Sequence, residues 1–482
     1  MRTSRHRFTS RPATRSGARH LGAVGVSVLA LVAATGASAA SAAARVPSGD
    51  PIGSIRVSSG HGIVVQAVKV VGPRQLQATI RPAALAPKTI DVQILLPVGY
   101  TPDADPRYPV LYLFPGTSGH STDWMTAGKA PQTMKPYRVI TVSSDIGFDG
   151  DGGGWFTDWV DQHTALGKSQ WETYDIHELI PWIDANFDTI RSRSGRAVAG
   201  LSQGGYGSTE LAARHPDLFV QQASFSGAPE IDRDVEARLG AEAIIGATMV
   251  GLNGVEANAP FGNHISDEIN WEGHDPARLI SNLRPVKLWF ATADGLPGQY
   301  DDPVTNPVGY VAGGGIESMT HISTDLFLQH LHAAHMTATV YDYGSGTHIW
   351  PYWARDLQKF APAMMRTFAD PPAAPKRTSY LTINPQWRQW GWTVRISRSE
   401  ALAFARISRA DDTGFDLSGD GVATVVTPRY FAPKASLAVT TAGVTRTVVS
   451  DRQGRLHVTV PLGAKPRTVA VRIKAIFAGA AG

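Results

Sequence analysis

Strand-like and helical segments alternate along residues 89–370, and this alternation constrains the fold more than any other feature of the sequence. Short apolar runs such as TIDVQILLPVGY (89–100), YPVLYLFPG (108–116) and RVITVSSD (138–145) are typical of buried strands. The longer run WETYDIHELIPWIDANF (171–187) has the apolar spacing of a helix with one buried face. Because strands that alternate with helices favour a mostly parallel sheet covered on both faces, we predict an α/β fold here.

The sequence changes character after residue 370. The proline-rich run DPPAAPKR predicts a linker at 371–377. Beyond it, short alternating runs such as GWTVRIS, GVATVVTP and GRLHVTVPL are separated by turn residues, which is the pattern of a small all-β domain. We therefore predict a separate β-sandwich-like domain at 378–482. At the other end, residues 45–88 read as an N-terminal extension that carries the first strands.

Residues 1–44 have the layout of a secretory signal peptide. The first 20 residues contain six arginines and no acidic residue, and an apolar run follows that ends in small residues. Ala-x-Ala occurs at Ala37–Ala39 and again at Ala40–Ala42, as at a cleavage site. The strongly apolar core, Leu21–Ala34, is short for a bilayer span, which disfavours the alternative of an uncleaved anchor. We predict cleavage, a secreted protein that is extracellular or associated with the cell envelope, and no later membrane span.

The charge balance argues against a nucleic-acid partner. The chain has 45 basic and 41 acidic residues, but six of the basic ones and none of the acidic ones lie in residues 1–44. The rest of the chain therefore contains 39 basic and 41 acidic residues, so the mature chain lacks the basic excess of a nucleic-acid-binding protein. The chain has no cysteine, which excludes disulfides, a thiol nucleophile and cysteine-bound metal.

One serine stands at the junction of a predicted strand and a predicted helix. In RAVAGLSQGGYGS, Ser202 lies between Gly200 and Gly204 in the pattern Gly-x-Ser-x-Gly. Without its context this pattern is typical of an ordinary turn. Here it follows the buried run GRAVAGLS and opens the helical run GGYGSTELAARHPDLF, and a sharp turn at such a junction lifts the hydroxyl clear of the sheet. We therefore predict that Ser202 is a nucleophile.

A serine nucleophile needs a base, and the base needs an acid to orient it. In this arrangement of strands the three residues follow in the order serine, acid, histidine. His348 lies in YDYGSGTHIWPYW, directly after the last strand of the alternating region, and we predict it as the base. The residues themselves leave the acid open among Asp294, Asp301, Asp302 and Glu317.

The developing negative charge of an attacked carbonyl needs two donors. The backbone amide of Gln203 stands at the start of the predicted helix, where unpaired N–H groups and the helix dipole favour an anion. The second donor should come from the loop after YPVLYLFPG, at Thr117 or Ser118.

No metal or other cofactor is predicted. The segments DGDGGG (149–154) and DLSGDG (416–421) resemble parts of calcium loops, but Val160 and Thr427 stand where an EF-hand loop has its last glutamate. We interpret both as glycine-rich turns. Four histidines in SMTHISTDLFLQHLHAAHM are interpreted as solvated or packed helix residues: His321, His330, His332 and His335.

Five segments, in this order, resemble the esterase D and antigen 85 group of α/β-hydrolases: YPVLYLFPG, DGGGWFTDW, WETYDIHELIPWI, AGLSQGG and GTHIWPYW. The resemblance implies an α/β-hydrolase catalytic domain over residues 89–370 and does not extend to the C-terminal domain. It favours Glu317 as the acid, since the antigen 85 branch has a glutamate about thirty residues before the histidine, at the start of a helix, and Glu317 directly precedes the helical run SMTHISTDLFLQHLHAAHM. It also implies Thr117 as the second oxyanion donor. The substrate-binding residues it implies are Ser118, Asp158, Trp159 and Trp350.

The function implied is that of a secreted serine esterase or acyltransferase, which acts through an acyl-enzyme on acyl esters or glycolipids. In the antigen 85 branch the acyl group passes to trehalose or to cell-wall sugars, and a sugar is therefore one predicted acceptor. Mycolyltransferases of that branch contact trehalose with an acid and an arginine, where this chain has Pro115 and Ser118. Simple carboxylester hydrolysis, with water as the acceptor, is the alternative.

A third hypothesis is a non-catalytic envelope or carbohydrate-binding protein on a hydrolase scaffold. Three tryptophans near the start of the C-terminal domain, Trp387, Trp390 and Trp392, could supply a face on which sugars stack. Packing in the domain core and between the domains is the competing interpretation, and the one we favour.

Overall fold

The computed structural model describes Ile52 and residues 55–148, 151–302, 304 and 307–476. The predicted signal peptide at 1–44 lies outside these residues. Within them, no helix combines the length and the apolar character that crossing a bilayer requires.

Nine strands form the first sheet. In chain order they are β1 (Ile63–Gly72), β2 (Gln75–Pro82), β3 (Ile90–Leu95), β4 (Val110–Phe114), β5 (Ile140–Ser144), β6 (Arg196–Leu201), β7 (Gln221–Phe225), β8 (Lys287–Thr292) and β9 (Thr339–Asp342). Their spatial order is β1-β2-β3-β5-β4-β6-β7-β8-β9. The pairs from β5 to β9 are parallel, and the pairs that join β1, β2, β3 and β5 are antiparallel. The predicted mostly parallel sheet is confirmed, with an antiparallel edge built from the N-terminal strands.

Helices cover this sheet on both faces. They are α1 (Ala130–Thr133), α2 (Trp171–Thr173), α3 (Ile180–Asn186), α4 (Gln203–Arg214), α5 (Val235–Thr248), α6 (Glu268–Gly273), α7 (Pro307–Ala333) and α8 (Trp350–Ala369). Turns of π-helix at Tyr174–Leu179 and Met249–Asn253 link α2 to α3 and extend α5, and short 3₁₀ turns lie at Ala83–Leu85, Arg193–Gly195 and Ile280–Leu283.

The burial of the central strands explains the two layers of helices. All five residues of β4 are buried, and they alternate between two apolar clusters. Leu111 and Leu113 pack into the cluster that includes residues of α8, whereas Tyr112 packs into the cluster on the other face. A strand with apolar side chains on both faces must be covered by other elements on both faces, which fits the position of β4 at the centre of a parallel sheet.

Two sequence-based expectations need correction. Glu317 was expected to precede a helix, but it lies well inside α7, because that helix begins ten residues earlier, at Pro307. The segment 416–421 was interpreted as a turn, but it lies within a long strand, Gly414–Val426. Its glycines accompany irregularities in the pairing at Gly419 and Gly421 rather than a reversal of the chain.

The C-terminal strands form a second, wholly antiparallel sheet. They are β10 (Thr378–Thr382), β11 (Gln386–Gln389), β12 (Trp392–Ser397), β13 (Ala405–Asp411), β14 (Gly414–Val426), β15 (Ser436–Thr441), β16 (Val444–Val449) and β17 (His457–Ala475). The first half of β14 pairs with β13 and its second half with β12, while β17 follows it along both halves. The register breaks at these glycines lie where β14 changes its partner from β13 to β12, and the buried apolar side chains of the sheet form one core.

The C-terminal domain contacts the end of α4. The backbone carbonyl of Arg214 accepts hydrogen bonds from the hydroxyl of Tyr380 (2.8 Å) and from Nε2 of Gln389 (2.9 Å). The amide of Trp390 donates to Asp217 (3.0 Å), and the guanidinium of Arg193 lies over the Trp390 ring. The carbonyls at a helix C-terminus lack partners within the helix, so these donors from the second domain satisfy the last one.

The three tryptophans of this region serve packing. Trp387 and Trp392 are buried in the C-terminal core, and Trp390 is half-buried at the contact between the domains. The packing interpretation is therefore confirmed over that of an open sugar-stacking face.

Candidate active site

Ser202 occupies a strained turn between β6 and α4. Its backbone has φ 52° and ψ −122°, a conformation that L residues rarely adopt. Its amide donates to the carbonyl of Phe225 at the end of β7 (3.0 Å), and its carbonyl accepts the amide of Tyr206 (3.0 Å). The turn is thus fixed from the neighbouring strand and from the helix, and Ser202 stands at the carboxyl end of a central strand.

The glycines around this turn are required by close packing. A Cβ on Gly200 would lie 2.3 Å from the carbonyl oxygen of Gly204, and a Cβ on Gly204 would lie 2.3 Å from that of Pro115. Both contacts are with backbone, which cannot turn away as a flexible side chain can. The loop after β4 therefore lies directly against the start of α4, which is the approach that an oxyanion site between the two segments needs.

His348 and Glu317 form a hydrogen-bonded pair. Nδ1 of His348 lies 2.7 Å from Oε2 of Glu317, whose other oxygen accepts the amide of Ala293 (3.0 Å). Glu317 has no exposed surface. The amide of His348 donates to the carbonyl of Gly313 (3.2 Å), so a backbone contact also ties the histidine loop to α7. A carboxylate on Nδ1 fixes the tautomer that leaves Nε2 unprotonated.

The alternative acids have other partners. Asp294 accepts the amide of Leu296 (2.8 Å) in a local turn. Asp301 braces the histidine loop: it accepts hydrogen bonds from the hydroxyls of Thr347, next to His348, and of Tyr352. The structure therefore brings Glu317, rather than Asp294 or Asp301, to the imidazole.

Ser202 and His348 lie at the same edge of the sheet, where the parallel strands β6 and β9 end. The His348 ring packs edge-on against Trp353 (4.9 Å between centroids), and Nε1 of Trp353 donates to the hydroxyl of Ser226 (3.2 Å). Ser226 directly follows Phe225, which holds the Ser202 amide. Nε2 of His348 is buried and has no hydrogen-bond partner among the described residues, the Ser202 hydroxyl included. Such contacts are often loose before substrate binds.

The two predicted oxyanion donors lie on either side of this junction. Within the residues that the structure covers, neither the amide of Thr117 nor that of Gln203 donates to a protein acceptor. Gln203 is the first residue of α4, where an unpaired amide and the helix dipole both favour negative charge.

The side chain of Gln203 holds the surrounding loops together, which sequence reasoning missed. Its Nε2 donates to the Thr117 hydroxyl (3.1 Å) and to the carbonyl of Gly152 (2.8 Å), and its Oε1 accepts the amide of Trp155 (3.2 Å). The side chain is buried. Two chain segments, the loop after β4 and residues 152–155, thus converge on one amide group, and the only sequence signal available was a glutamine directly after the nucleophile.

Two predicted substrate-binding residues lie near the junction. Ser118 follows Thr117 with a positive φ of 57°, and its hydroxyl is buried without a hydrogen-bond partner among the described residues. Trp350 opens α8 and packs edge-on between Trp124 and Trp353, at 5.3 Å from each. It is half-buried, and through Trp353 it belongs to the aromatic group around the base.

The other two predicted substrate-binding residues, Asp158 and Trp159, use their side chains to hold their own loop in place. Both oxygens of Asp158 accept from Thr173, one from its amide (2.9 Å) and one from its hydroxyl (2.6 Å). Burial, with Glu172 nearby, raises the pKa of Asp158. Trp159 is 3% exposed and donates from Nε1 to the carbonyl of Gly154 (2.9 Å). These contacts hold the loop DGGGWFTDW against α2.

The WET motif contributes an ion pair to α4. Glu172 accepts from Nε (2.8 Å) and Nη2 (2.9 Å) of Arg214 and lies 2.8 Å from Nε2 of His215. The Arg214 guanidinium holds the pKa of Glu172 well below its usual range despite burial. The motif therefore fixes the end of the helix whose other end carries Ser202.

A serine in a strained strand–turn–helix junction and a histidine–glutamate pair at the same edge of a mostly parallel sheet are the features of the α/β-hydrolase class of fold. Residues 84–364 match the model of the Esterase family, which is more than half of the chain. The chain therefore belongs to the Esterase family.

The chain is also similar to individual proteins. Esterase Rv1288 of Mycobacterium tuberculosis is 37% identical over 202 residues, which are 41% of each chain. The diacylglycerol acyltransferase/mycolyltransferase Ag85B of Mycolicibacterium smegmatis is 28% identical over 221 residues, which are 44% of this chain and 63% of that protein. The crystal structure of Mycobacterium tuberculosis MPT51 aligns with 58% of this chain and 94% of its own, at 25% identity and a TM-score of 0.46. The chain thus matches less than two thirds of the first two relatives.

Proposed function

We propose that this protein is a secreted serine hydrolase that cleaves carboxylic esters through an acyl-enzyme on Ser202. The observation that carries the proposal is the 2.7 Å contact between His348 Nδ1 and the buried carboxylate of Glu317, at the sheet edge where Ser202 stands in its strained turn. Membership of the Esterase family supports the same class of reaction.

The proposed reaction has two steps. Oγ of Ser202 attacks the ester carbonyl while Nε2 of His348 takes the hydroxyl proton, and the same proton then passes to the leaving alcohol. Glu317 orients the imidazole and stabilises its positive charge. The amides of Gln203 and Thr117 hold the oxyanion, and each such donor is typically worth roughly 10²–10³ in rate. Water, activated by His348, then releases the acid.

Acyl transfer to a sugar hydroxyl is the second candidate. Relatives that carry the name mycolyltransferase support it. Against it, Pro115 and Ser118 stand where those enzymes are expected to contact trehalose with an acid and an arginine. Ser118 and Trp350 are the proposed substrate contacts, whereas Asp158 and Trp159 support the neighbouring loop.

Labelling with a fluorophosphonate probe tests the nucleophile. We expect the wild-type protein to be labelled on Ser202 and Ser202→Ala to lose both the label and ester turnover. Ser192→Ala, an exposed serine before β6 whose hydroxyl contacts only the hydroxyl of Ser194 among the described residues, is the control. Full ester turnover by Ser202→Ala would refute the proposal, and glycan binding without any labelling would favour the non-catalytic alternative.

Mass spectrometry of the acyl-enzyme, trapped with native lipid extract, would identify the acyl group. Radiolabelled trehalose then separates the two acceptors. Accumulation of acyl-trehalose indicates transfer, and release of free acid without it indicates hydrolysis.

A further inference from the structure

Three side chains with metal-binding atoms meet away from the proposed active site. They are Glu230 in the loop after β7, Asp234 at the start of α5, and His330 near the end of α7. One ligand atom from each lies within 4.8 Å of the other two. Nε2 of His330 is 2.6 Å from Oδ2 of Asp234 and 3.6 Å from Oε2 of Glu230.

Glu230 is the unusual member of this cluster. It has no exposed surface, and its Oε1 accepts the amide of Asp234 (3.0 Å). Its Oε2 is also buried, accepts no hydrogen bond from a donor group among the described residues, and points toward the other two side chains. A buried carboxylate offsets the cost of its burial either by holding a proton, which Glu230 can share with the neighbouring carboxylate of Asp234, or by coordinating a cation that displaces this proton.

We propose that Glu230, Asp234 and His330 bind a divalent cation of the Zn²⁺ or Mn²⁺ type. Two carboxylates and one imidazole form a mixed oxygen and nitrogen ligand set, which these ions accept. Ligands about 2.0–2.1 Å from a tetrahedral ion lie about 3.3 Å apart, close to the present separation of His330 and Glu230. The shorter contact between His330 and Asp234 is that of a hydrogen bond, so these two side chains must separate slightly to admit the ion.

Charged groups of both signs lie around the cluster. A third carboxylate, that of Asp275, stands behind the loop and accepts the amides of Ile231 (3.2 Å) and Arg233 (3.0 Å). The nearby guanidinium of Arg233 donates to the carbonyl of Ala277 (3.0 Å). The side chains of Asp234 and His330 are partly exposed, at 35% and 19%, which leaves a route for the ion and room for a water ligand.

The ion would join α7 to the loop after β7. These elements already meet through Ser323, whose hydroxyl bridges the amide (3.0 Å) and carbonyl (2.7 Å) of Glu230. His330 is thirteen residues from Glu317 on the same helix, about 20 Å at 1.5 Å per residue. The site is therefore structural: it stabilises the helix that carries the proposed acid and takes no part in the reaction.

The test measures metal content and thermal unfolding of the full chain after treatment with a chelator. We expect uptake of one Zn²⁺ or Mn²⁺ per chain and a rise of several degrees in the unfolding temperature. Glu230→Gln and His330→Gln should each weaken binding at least tenfold. Ca²⁺, which prefers sites built only from oxygen ligands, should stabilise the protein less.

Another histidine–carboxylate pair on α7 supplies the matched control. Nε2 of His321 lies 3.4 Å from Oδ2 of Asp325. Among the described residues, no buried glutamate joins this pair to form a cluster of three possible metal ligands. His321→Gln should leave metal uptake unchanged. Failure of the wild type to bind either ion, or undiminished binding by Glu230→Gln, would overturn the proposal. If Glu230→Gln does not fold, Asp234→Asn provides the same comparison, and neither result depends on esterase activity.

Discussion

Nδ1 of His348 and Oε2 of Glu317 lie 2.7 Å apart, although 31 residues separate them in the sequence and they come from a loop and a helix. The carboxylate is held from its other side by the amide of Ala293, at the end of β8. The orientation of the imidazole therefore depends on the position of α7 against the sheet as well as on the contact itself.

Glu317→Gln should lower kcat for ester hydrolysis by roughly 10³–10⁴-fold, because an amide favours the wrong tautomer of the histidine. Asp294→Asn is the matched control and should change kcat less than about threefold, since asparagine can keep the turn with Leu296. Steady-state kinetics on a soluble ester measure both. A much larger loss of kcat in Asp294→Asn than in Glu317→Gln would instead identify Asp294 as the acid.

Gln203→Met should lower kcat about tenfold with little change in KM, because methionine fills the space but loses all three contacts to Thr117, Gly152 and Trp155. The amide that faces the oxyanion remains, but the loop that carries its partner is less well fixed. Gln132→Met, on the exposed surface of α1, is the control. Unchanged kcat in Gln203→Met would show that the loops hold their positions without the glutamine.

Gly204→Ala should lower the free energy of unfolding by about 2 kcal/mol or more, because the new Cβ would meet the carbonyl of Pro115 at 2.3 Å. Gly315→Ala is the contrasting change, since no atom lies within 4 Å of its Cβ position and it sits inside α7. It should raise stability by about 0.5–1 kcal/mol. Denaturant unfolding measures the free energy of unfolding of both variants. Equal changes in the two variants would contradict the packing explanation.

His274 gives a prediction for pH. Burial lowers its pKa from 6.5 to about 3, with Arg214 nearby, so the folded protein holds it neutral. The unfolded chain binds the proton more readily, so this group's contribution to stability is complete above pH 6.5 and is lost as the pH falls towards 3. At pH 4.5 the loss would be about 3 kcal/mol.

His274→Gln, which keeps a donor for the carbonyl of Asn270, removes this dependence. Unfolding temperatures of the variant and the wild type should therefore converge between pH 7.5 and pH 4.5. A constant difference across this range would mean that the folded protein does not exclude the proton.

Tyr380→Phe tests the contact between the domains. Loss of the hydroxyl removes one of two donors to the carbonyl of Arg214 and should cost about 1 kcal/mol. Tyr300→Phe, on an exposed ring, should be neutral. Calorimetry should also show whether the transitions of the two domains separate in Tyr380→Phe, and an unchanged thermogram would mean that Gln389 alone suffices.

The sequence predicts the parts of this protein that local patterns encode. The strands predicted at 89–100, 108–116, 138–145 and directly before Ser202 are all present, and so is the helix after Ser202, because apolar periodicity and glycine spacing report burial and turns directly. The start of α7 was misjudged because Pro307 to Ile316 lacks a clear apolar stripe. The contacts of Gln203 and the meeting of Glu230 with His330, a hundred residues later, depend on long-range packing that no local pattern records.

The twelve-residue helix α4 begins directly after Ser202 and ends at the carbonyl of Arg214, to which two side chains of the C-terminal domain donate. A chain shortened to residue 370 would keep every residue proposed for the chemistry and yet leave that carbonyl without its two donors. The C-terminal domain thus fixes the far end of the helix whose first turn follows the proposed nucleophile. Exchanging it for an unrelated module should preserve the reaction only if the new module again offers donors at that point.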